Sequence, residues 1–206
     1  MPAATREPAG GPTWPETQRA ELMPSLLELW NRSLRLTGER DPKVLLGKHA
    51  ADSLACAVLP GAGARVLDIG TGAGFPGAVI GCVRPDVEVT LLDSRERPIS
   101  FLAEVIRSVP LPNARAVVLR AEDAARTPSM AGTFDLVTSR AVRLDQFLAL
   151  AKPLVASGGR IVSMQAPATT DALAAAAGRD SGLVLGEIRD YELPAGDPRR
   201  LVIFGA

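Results

Sequence analysis

A glycine-rich loop between an apolar strand and a helix constrains this chain more than any other feature. Residues 66–77 read VLDIGTGAGFPG, in which three alternating glycines follow the strand and Pro76 opens the helix. Glycine adopts positive φ at little cost and lets a ligand approach the backbone. The first turn of a helix adds N–H groups without partners. The loop therefore predicts a ligand at the carboxyl ends of the strands of an α/β sheet.

A second acid indicates which ligand this is. Asp93 ends the next predicted strand, where a carboxylate can accept the hydroxyls of a ribose. A dinucleotide fold prefers the spacing G-x-G-x-x-G, whereas this chain has G-x-G-x-G with Asp68 just before it. Asp68 would repel a pyrophosphate but attract the cationic methionine end of S-adenosylmethionine. The loop thus favours S-adenosylmethionine, with a nicotinamide or flavin dinucleotide, or a turn without ligand, as alternatives.

The chain divides into three predicted parts. Residues 1–13, rich in proline and glycine, predict a disordered leader. Residues 14–61 predict a helical extension, with helix starts at Thr13 and at Asp41-Pro42. In residues 62–206 strands alternate with helices, which is typical of an open parallel sheet covered on both faces. The strands are predicted at 65–69, 87–92, 115–119, 134–138, 159–163, 183–191 and 199–204, and the helices at 76–84, 95–109, 144–150 and 169–177. The last two strands, joined by residues 194–198, predict a terminal antiparallel pair.

Composition narrows the partners. Lys and Arg number 23, as do Asp and Glu, so any contact with nucleic acid must come from a local patch. Cys56, Cys82 and the single His49 do not suit a metal site. No apolar run is long enough to cross a bilayer, and the N-terminus lacks the core of a signal peptide. We therefore expect a cytoplasmic protein without metal or membrane contact.

Seven short motifs then occur in a characteristic order. They are Trp30-Asn31-Arg32, Leu36-Thr37, Arg40-Asp41-Pro42, His49-x-x-Asp52-Ser53, Asp68-x-Gly70-Thr71-Gly72-x-Gly74-x-Pro76-Gly77, Leu92-Asp93-Ser94 and Ser139-Arg140-Ala141. Together they resemble the bacterial 16S rRNA guanine-N7 methyltransferase family (RsmG, also called glucose-inhibited division protein B, GidB), from about residue 30 to residue 204. The resemblance implies a Rossmann-like class I methyltransferase with an N-terminal helical extension. Its sheet is expected to be seven-stranded and mostly parallel, with an antiparallel pair at the end.

The same resemblance implies the partners and the donor site. The donor implied is S-adenosylmethionine, and the acceptor implied is N7 of a guanine in the decoding-centre loop of 16S rRNA. The substrate is either the RNA or the small ribosomal subunit, and the enzyme is expected to be a monomer. Carried over by position, the donor-binding residues are Asp68, Gly70, Thr71, Gly72, Gly74, Phe75, Gly77, Asp93, Ser94, Ala121, Glu122 and Arg140. Of these, Asp93 is expected at the ribose, and Ala121 and Glu122 along the adenine. The chain departs from the family at Gln165, where a lysine near the RNA is usual.

Guanine N7 has a free lone pair and no proton to lose, so methyl transfer needs positioning more than a general base. Arg140 is the first candidate for positioning the guanine. It could contact guanine O6, a phosphate or the donor carboxylate, or it could be an ordinary surface arginine, and these alternatives stay open. His49, with Asp52 and Ser53, falls on one helix face. These three residues predict either a polar seam against the sheet or a direct substrate contact. Phosphate-binding candidates are Lys48, Arg95, Arg97 and Arg143.

Two other functions stay open. A diverged methyltransferase could act on another RNA or on a small molecule. A donor-binding module could keep the pocket without transferring a methyl group. Donor affinity and methyl transfer to ribosomal RNA together separate these hypotheses.

Overall fold

The computed structural model describes residues 45–206 apart from residues 110 and 195. The predicted leader and most of the predicted helical extension, including the helix starts at Thr13 and Asp41, lie outside the described residues. The division into three parts therefore stays a prediction.

The described chain is built on one seven-stranded sheet with the order β3-β2-β1-β4-β5-β7-β6. The strands are β1 (Arg65–Ile69), β2 (Glu88–Asp93), β3 (Ala114–Val118), β4 (Phe134–Ser139), β5 (Val155–Gln165), β6 (Val184–Glu192) and β7 (Pro198–Gly205). Strands β1 to β5 pair in parallel, and β7 pairs antiparallel with both β5 and β6. This confirms the mostly parallel sheet with an antiparallel pair at its end.

Helices cover both faces of the sheet. A π-helical segment, Leu45–Ala50, continues into α1 (Ala51–Ala57), and the later helices are α2 (Gly77–Val83), α3 (Glu96–Ser108), α4 (Ala121–Ala124), α5 (Leu144–Ala151) and α6 (Asp171–Ser181). Because side chains alternate along a strand, Val66 of β1 packs under α1, α2 and α3, while Leu67 packs under α4, α5 and α6. The sheet is thus buried between two apolar layers, as parallel sheets require.

Two elements, β5 and α6, differ from the sequence prediction by more than one residue at both ends. Strand β5 begins at Val155 rather than at residue 159, because Gly158 and Gly159 remain within the strand where the β4–β5 register shifts. Helix α6 begins and ends later than predicted: the Thr170 hydroxyl caps its start, and Gly182, with φ of 62°, ends it. The single turn of α4 was not predicted, because four residues are too few to show helical periodicity.

Candidate active site

The glycine loop lies at the centre of the sheet, where the strand order reverses between β1 and β4. Such a reversal leaves a crevice at the carboxyl ends of the strands. Gly70 and Gly72 have φ of 69° and 54°. A methyl group added at Gly70 would find only Val142 Cγ2, at 3.5 Å, among the described atoms, and one at Gly72 only the carbonyl oxygen of Gly70, at 3.9 Å. Both positions therefore leave room for a ligand against the backbone.

The next two glycines of the motif are packed against the protein interior. A Cβ at Gly74 would lie 2.9 Å from both Ala78 Cβ and Leu102 Cδ2. One at Gly77 would meet Leu91 and lie 2.7 Å from Asp68 Cβ. These glycines let α2 and α3 pack closely against the sheet, and they shape the loop through that packing. A direct contact of either one with the donor stays a prediction.

Asp68 is fully buried at the end of β1, and only one of its two carboxylate oxygens is hydrogen-bonded within the part of the chain that the structure describes. Its Oδ2 accepts hydrogen bonds from Thr71 Oγ1 at 2.7 Å and from the Gly77 N–H at 2.9 Å. Its Oδ1 has no hydrogen-bond partner among the described residues. Burial raises the pKa of Asp68 to about 6, although the two hydrogen bonds and the charge of Arg140 oppose this. A buried acceptor without a partner is costly, so this oxygen fits the cationic end of a ligand.

Asp93 ends β2 beside the loop, and its carboxylate is occupied by its own chain. Oδ2 accepts from the Gly72 N–H at 3.1 Å, and Oδ1 accepts from the Arg95 N–H at 3.0 Å. The Arg95 guanidinium adds bonds from Nε to Oδ1, at 3.1 Å, and from Nη2 to Oδ2, at 3.2 Å. Burial acts to raise the pKa of Asp93, but these bonds outweigh it and hold the pKa below its ordinary value. Arg95, predicted to bind phosphate, thus lies on the carboxylate predicted to bind ribose.

Arg140 directly follows β4, and its side chain lies between the glycine loop and the helical segment that contains His49 and Asp52. Its guanidinium lies 5.0 Å from the centre of the Phe75 ring, and the His49 ring lies 5.5 Å from the same ring. Arg140 Nη1 is 3.5 Å from Asp52 Oδ2 and donates to the His49 carbonyl oxygen at 3.5 Å. Burial lowers the pKa of Arg140, while the charges of Asp52 and Asp68 act against this. These contacts distinguish Arg140 from a solvated surface arginine, and they place the buried Phe75 ring next to both the Arg140 guanidinium and the His49 ring.

A cavity of about 250 Å³ opens next to Arg140. Its lining includes Lys48, His49, Asp52, Arg140, Gln165 and Arg199. The Tyr191 hydroxyl donates to Asp52 Oδ1 at 2.5 Å and so ties α1 to β6, while the choice between a polar seam and a substrate contact for His49, Asp52 and Ser53 stays a prediction. Sequence reasoning missed Tyr191 and Arg199, which face each other across β6 and β7. The available signal was that Tyr191 is the single tyrosine of the chain.

The other predicted residues lie around the same edge of the sheet. Ala121 is buried at the start of α4, while Ser94 and Glu122 are exposed. Among the phosphate candidates, Lys48 pairs with Asp197 at 3.6 Å and Arg143 with Asp145 at 3.0 Å, and Arg97 is exposed. Gln165 donates to Ser163 Oγ at 2.7 Å and accepts from Thr169 Oγ1 at 3.1 Å.

Two further properties concern only the described residues. No group of three or more His, Cys, Asp or Glu side chains among them could hold a metal ion. None of their helices is both long and apolar enough to cross a membrane. A larger cavity, of about 650 Å³, lies at the opposite edge of the sheet, where Arg65 and Glu88 begin their strands, away from Asp68 and Asp93.

Comparison with known proteins gives consistent matches. The family model described as rRNA small subunit methyltransferase G (GidB) matches residues 16–183. The ribosomal RNA small subunit methyltransferase G of Symbiobacterium thermophilum is 40% identical over 188 residues, which cover 86% of this chain and 76% of the relative. The protein of the same name from Chromobacterium violaceum is 32% identical over 192 residues, covering 93% and 88%, and that from Desulfitobacterium hafniense is 47% identical over 131 residues, covering 63% and 54%.

Solved structures agree on the fold. A SAM-dependent methyltransferase from Aquifex aeolicus has a TM-score of 0.58 and 22% identity, with 80% of this chain and 93% of that chain covered. A TehB-like SAM-dependent methyltransferase from Corynebacterium glutamicum has a TM-score of 0.57 and 19% identity, with 88% and 98% covered. At these identities the likeness concerns the fold alone, which is Rossmann-like, as the sequence predicted.

Proposed function

The chain belongs to the rRNA small subunit methyltransferase G (GidB) family, and from this premise we propose that it methylates N7 of a guanine in the decoding-centre loop of 16S rRNA. By family and fold it is an S-adenosylmethionine-dependent methyltransferase. The observation that carries the proposal is the match of residues 16–183 to this family. The buried Asp68 Oδ1, without a hydrogen-bond partner among the described residues, beside the open backbone of Gly70 and Gly72, supports its donor part.

The residues of the loop fit the donor. Asp68 offers a free acceptor oxygen to its positively charged methionine end, and Asp93 offers a carboxylate to its ribose hydroxyls. Gly70 and Gly72 leave space for it against the backbone. Ala121 and Glu122, in the first turn of α4, are proposed to lie along its adenine. When bound, S-adenosylmethionine would supply an activated methyl group for guanine N7, and the electron pair of the broken carbon–sulfur bond would remain on sulfur.

The protein's task in this reaction is to hold the acceptor in line. N7 attacks through its lone pair, so no residue has to remove a proton, and correct placement accounts for most of the acceleration. Arg140 is proposed to position the acceptor, because it lies over Phe75 next to the loop and is held by Asp52. His49 is proposed as a further contact, because its ring lies 5.5 Å from the Phe75 ring.

Exposed cations at the same edge are proposed to hold the RNA. Lys48, Arg97 and Arg143 are partly or largely solvent-accessible, and Arg95 joins them when it leaves Asp93. Because the whole chain has no net charge, binding depends on these local contacts and weakens steeply with salt. We further propose that the enzyme acts as a monomer in the cytoplasm.

The test is transfer of labelled methyl groups to small ribosomal subunits that lack their native N7-methylguanine, and to naked 16S rRNA. Nuclease digestion then locates the labelled base. We expect label on one guanine N7 of the decoding-centre loop, loss of label with Asp93→Ala, and normal label with Asp180→Ala, which removes an exposed carboxylate on α6. Normal donor binding without transfer to either RNA would instead favour another acceptor or a non-catalytic donor-binding module.

A further inference from the structure

The cavity beside Arg140 contains a buried acid that donor binding does not use. Asp52 lies on α1, and its side chain is only 8% exposed. Three side chains from distant elements surround it: the Tyr191 hydroxyl donates to Oδ1, Arg140 Nη1 lies 3.5 Å from Oδ2, and Arg199 Nε lies 3.9 Å from Oδ1. Burial raises the pKa of Tyr191, and the charge of Asp52 acts in the same direction, so the phenol remains a hydrogen-bond donor.

These contacts leave acceptor capacity on Asp52. A carboxylate has about four positions that can accept a hydrogen bond. A charge-assisted N–H···O bond is typically about 2.7–2.9 Å long, and both guanidinium contacts are longer than this. Among the described residues, only the Tyr191 hydroxyl makes a short bond to Asp52. Since Asp52 lines the cavity, its remaining capacity is available to a ligand there.

We propose that this cavity receives the acceptor guanine and that Asp52 accepts hydrogen bonds from its N1–H and its exocyclic N2 amino group. The inference rests on the proposed function, whose acceptor is a guanine. The volume of the cavity is about 250 Å³, which is below the roughly 300–1,000 Å³ of pockets for drug-sized ligands and therefore suits a single base. N7 lies on the edge of the base opposite N1 and N2. With N1 and N2 held at Asp52, N7 lies on the edge of the base that points away from Asp52. The cavity borders the glycine loop at Arg140, whose guanidinium lies 5.0 Å from the centre of the Phe75 ring.

The chemistry of the cavity selects guanine over other ligands. Guanine places two N–H donors side by side, which suits a single carboxylate, and its O6 can accept from the guanidinium groups of Arg140 and Arg199. Adenine would direct the lone pair of N1 at Asp52, which repels it. A phosphate group would meet the same repulsion, although Lys48, Arg140 and Arg199 alone would attract it. Asp52 therefore determines the specificity of the site for guanine.

The deciding experiment compares guanosine with inosine at the target nucleotide. Inosine keeps N1–H, O6 and N7 but lacks the N2 amino group, so it can make only one of the two bonds to Asp52. Small subunits are reconstituted from 16S rRNA that carries either nucleoside at the position labelled in the transfer assay above. We expect the wild-type kcat/KM to fall at least about tenfold on inosine. Equal rates on the two substrates would overturn the inference, whereas no transfer to guanosine would overturn the proposed function itself.

A variant then assigns the discrimination to Asp52. Asp52→Asn should lower kcat/KM on guanosine at least about tenfold and bring the guanosine-to-inosine ratio close to one, because one good acceptor is lost. Asp180→Asn, which removes an exposed carboxylate of α6, should leave both values unchanged. Donor affinity and thermal unfolding are measured for both variants. A folded, donor-binding Asp52→Asn protein that kept the wild-type ratio would refute the role of Asp52, and if that variant fails to fold, the inosine result with the wild type decides.

Discussion

Removing the Arg95 side chain should strengthen donor binding. Four hydrogen bonds, from the Gly72 N–H and from three nitrogens of Arg95, reach the Asp93 carboxylate, at 3.0–3.2 Å. A carboxylate has about four positions that can accept a bond, so all of them are filled. If Asp93 binds the ribose, the two hydroxyls must displace Nε and Nη2 of Arg95. Arg95→Ala removes these two competitors and keeps both backbone bonds.

The size of the effect follows from the exposure of the pair. The Arg95 side chain is 70% exposed, and an exposed ion pair contributes about 0–1 kcal/mol. When the donor binds to the wild-type protein, the side-chain ion pair between Arg95 and Asp93 is broken, and its stabilising contribution is lost. Arg95→Ala should therefore lower the Kd for S-adenosylmethionine by a factor of up to about 5, because 1.4 kcal/mol corresponds to about tenfold.

Isothermal titration of S-adenosylmethionine at low and high salt measures this change. Arg97→Ala is the matched control, because Arg97 is also exposed at the start of α3 and its loss removes the same charge. The advantage of Arg95→Ala over Arg97→Ala should shrink at high salt, where the wild-type ion pair is already screened. If Arg95→Ala bound the donor more weakly than Arg97→Ala, then Arg95 would assist the donor, and the reasoning from the occupied carboxylate would be wrong.

Three further changes test other parts of the site. Gly77→Ala should lower the free energy of unfolding by about 1–3 kcal/mol in urea titrations, because the added methyl group overlaps Asp68. Gly61→Ala is the control. No described atom lies within 4 Å of its new Cβ, so it should change the free energy of unfolding by less than about 0.5 kcal/mol. Gln165→Lys should steepen the slope of the logarithm of the RNA-binding constant against the logarithm of the salt concentration by roughly 0.7–0.9. The same substitution at the exposed Gln146 should leave this slope unchanged. Equal slopes for the two variants would mean that residue 165 does not reach a phosphate. Donor affinity should be nearly full at about pH 7.5, fall to about half at pH 6 and to about a tenth at pH 5, because Asp68, with a pKa of about 6, takes up a proton and loses its attraction for the cationic donor. Asp68→Asn should bind weakly at every pH, and an equal pH dependence in both proteins would exclude Asp68 as its source.

The sequence was sufficient for the elements that local patterns determine. Strand β1 was predicted over its full length, because it is a short apolar run with clear limits. The start of the domain precedes it, and the glycine turn follows it. Asp68 and Asp93 were predicted at strand ends because each directly follows a buried run, and parallel strands bring their carboxyl ends to one edge. Strand β5 was predicted too short, because Gly158 and Gly159 resemble a turn when the partner strand is unknown.

The surroundings of Asp52 could not be predicted, because they depend on pairings between distant strands. Asp52 and Tyr191 are 139 positions apart, and they meet only because β7 inserts between β5 and β6 in the sheet. The antiparallel register then sets Arg199 opposite Tyr191. The alternation of strands and helices predicts that a terminal antiparallel pair exists, but it does not fix which residues of that pair reach α1.

Arg140 connects the two halves of the site, which is why its role stayed open in the sequence. Its guanidinium contacts Asp52 on the acceptor side, and its charge also stabilises the ionised form of Asp68 on the donor side. A bound cationic donor would take over part of the neutralisation of Asp68. Asp68 would then depend less on Arg140 for the stabilisation of its ionised form. The contact of Arg140 with Asp52 does not involve Asp68, so the same guanidinium can serve the acceptor side while the donor is bound.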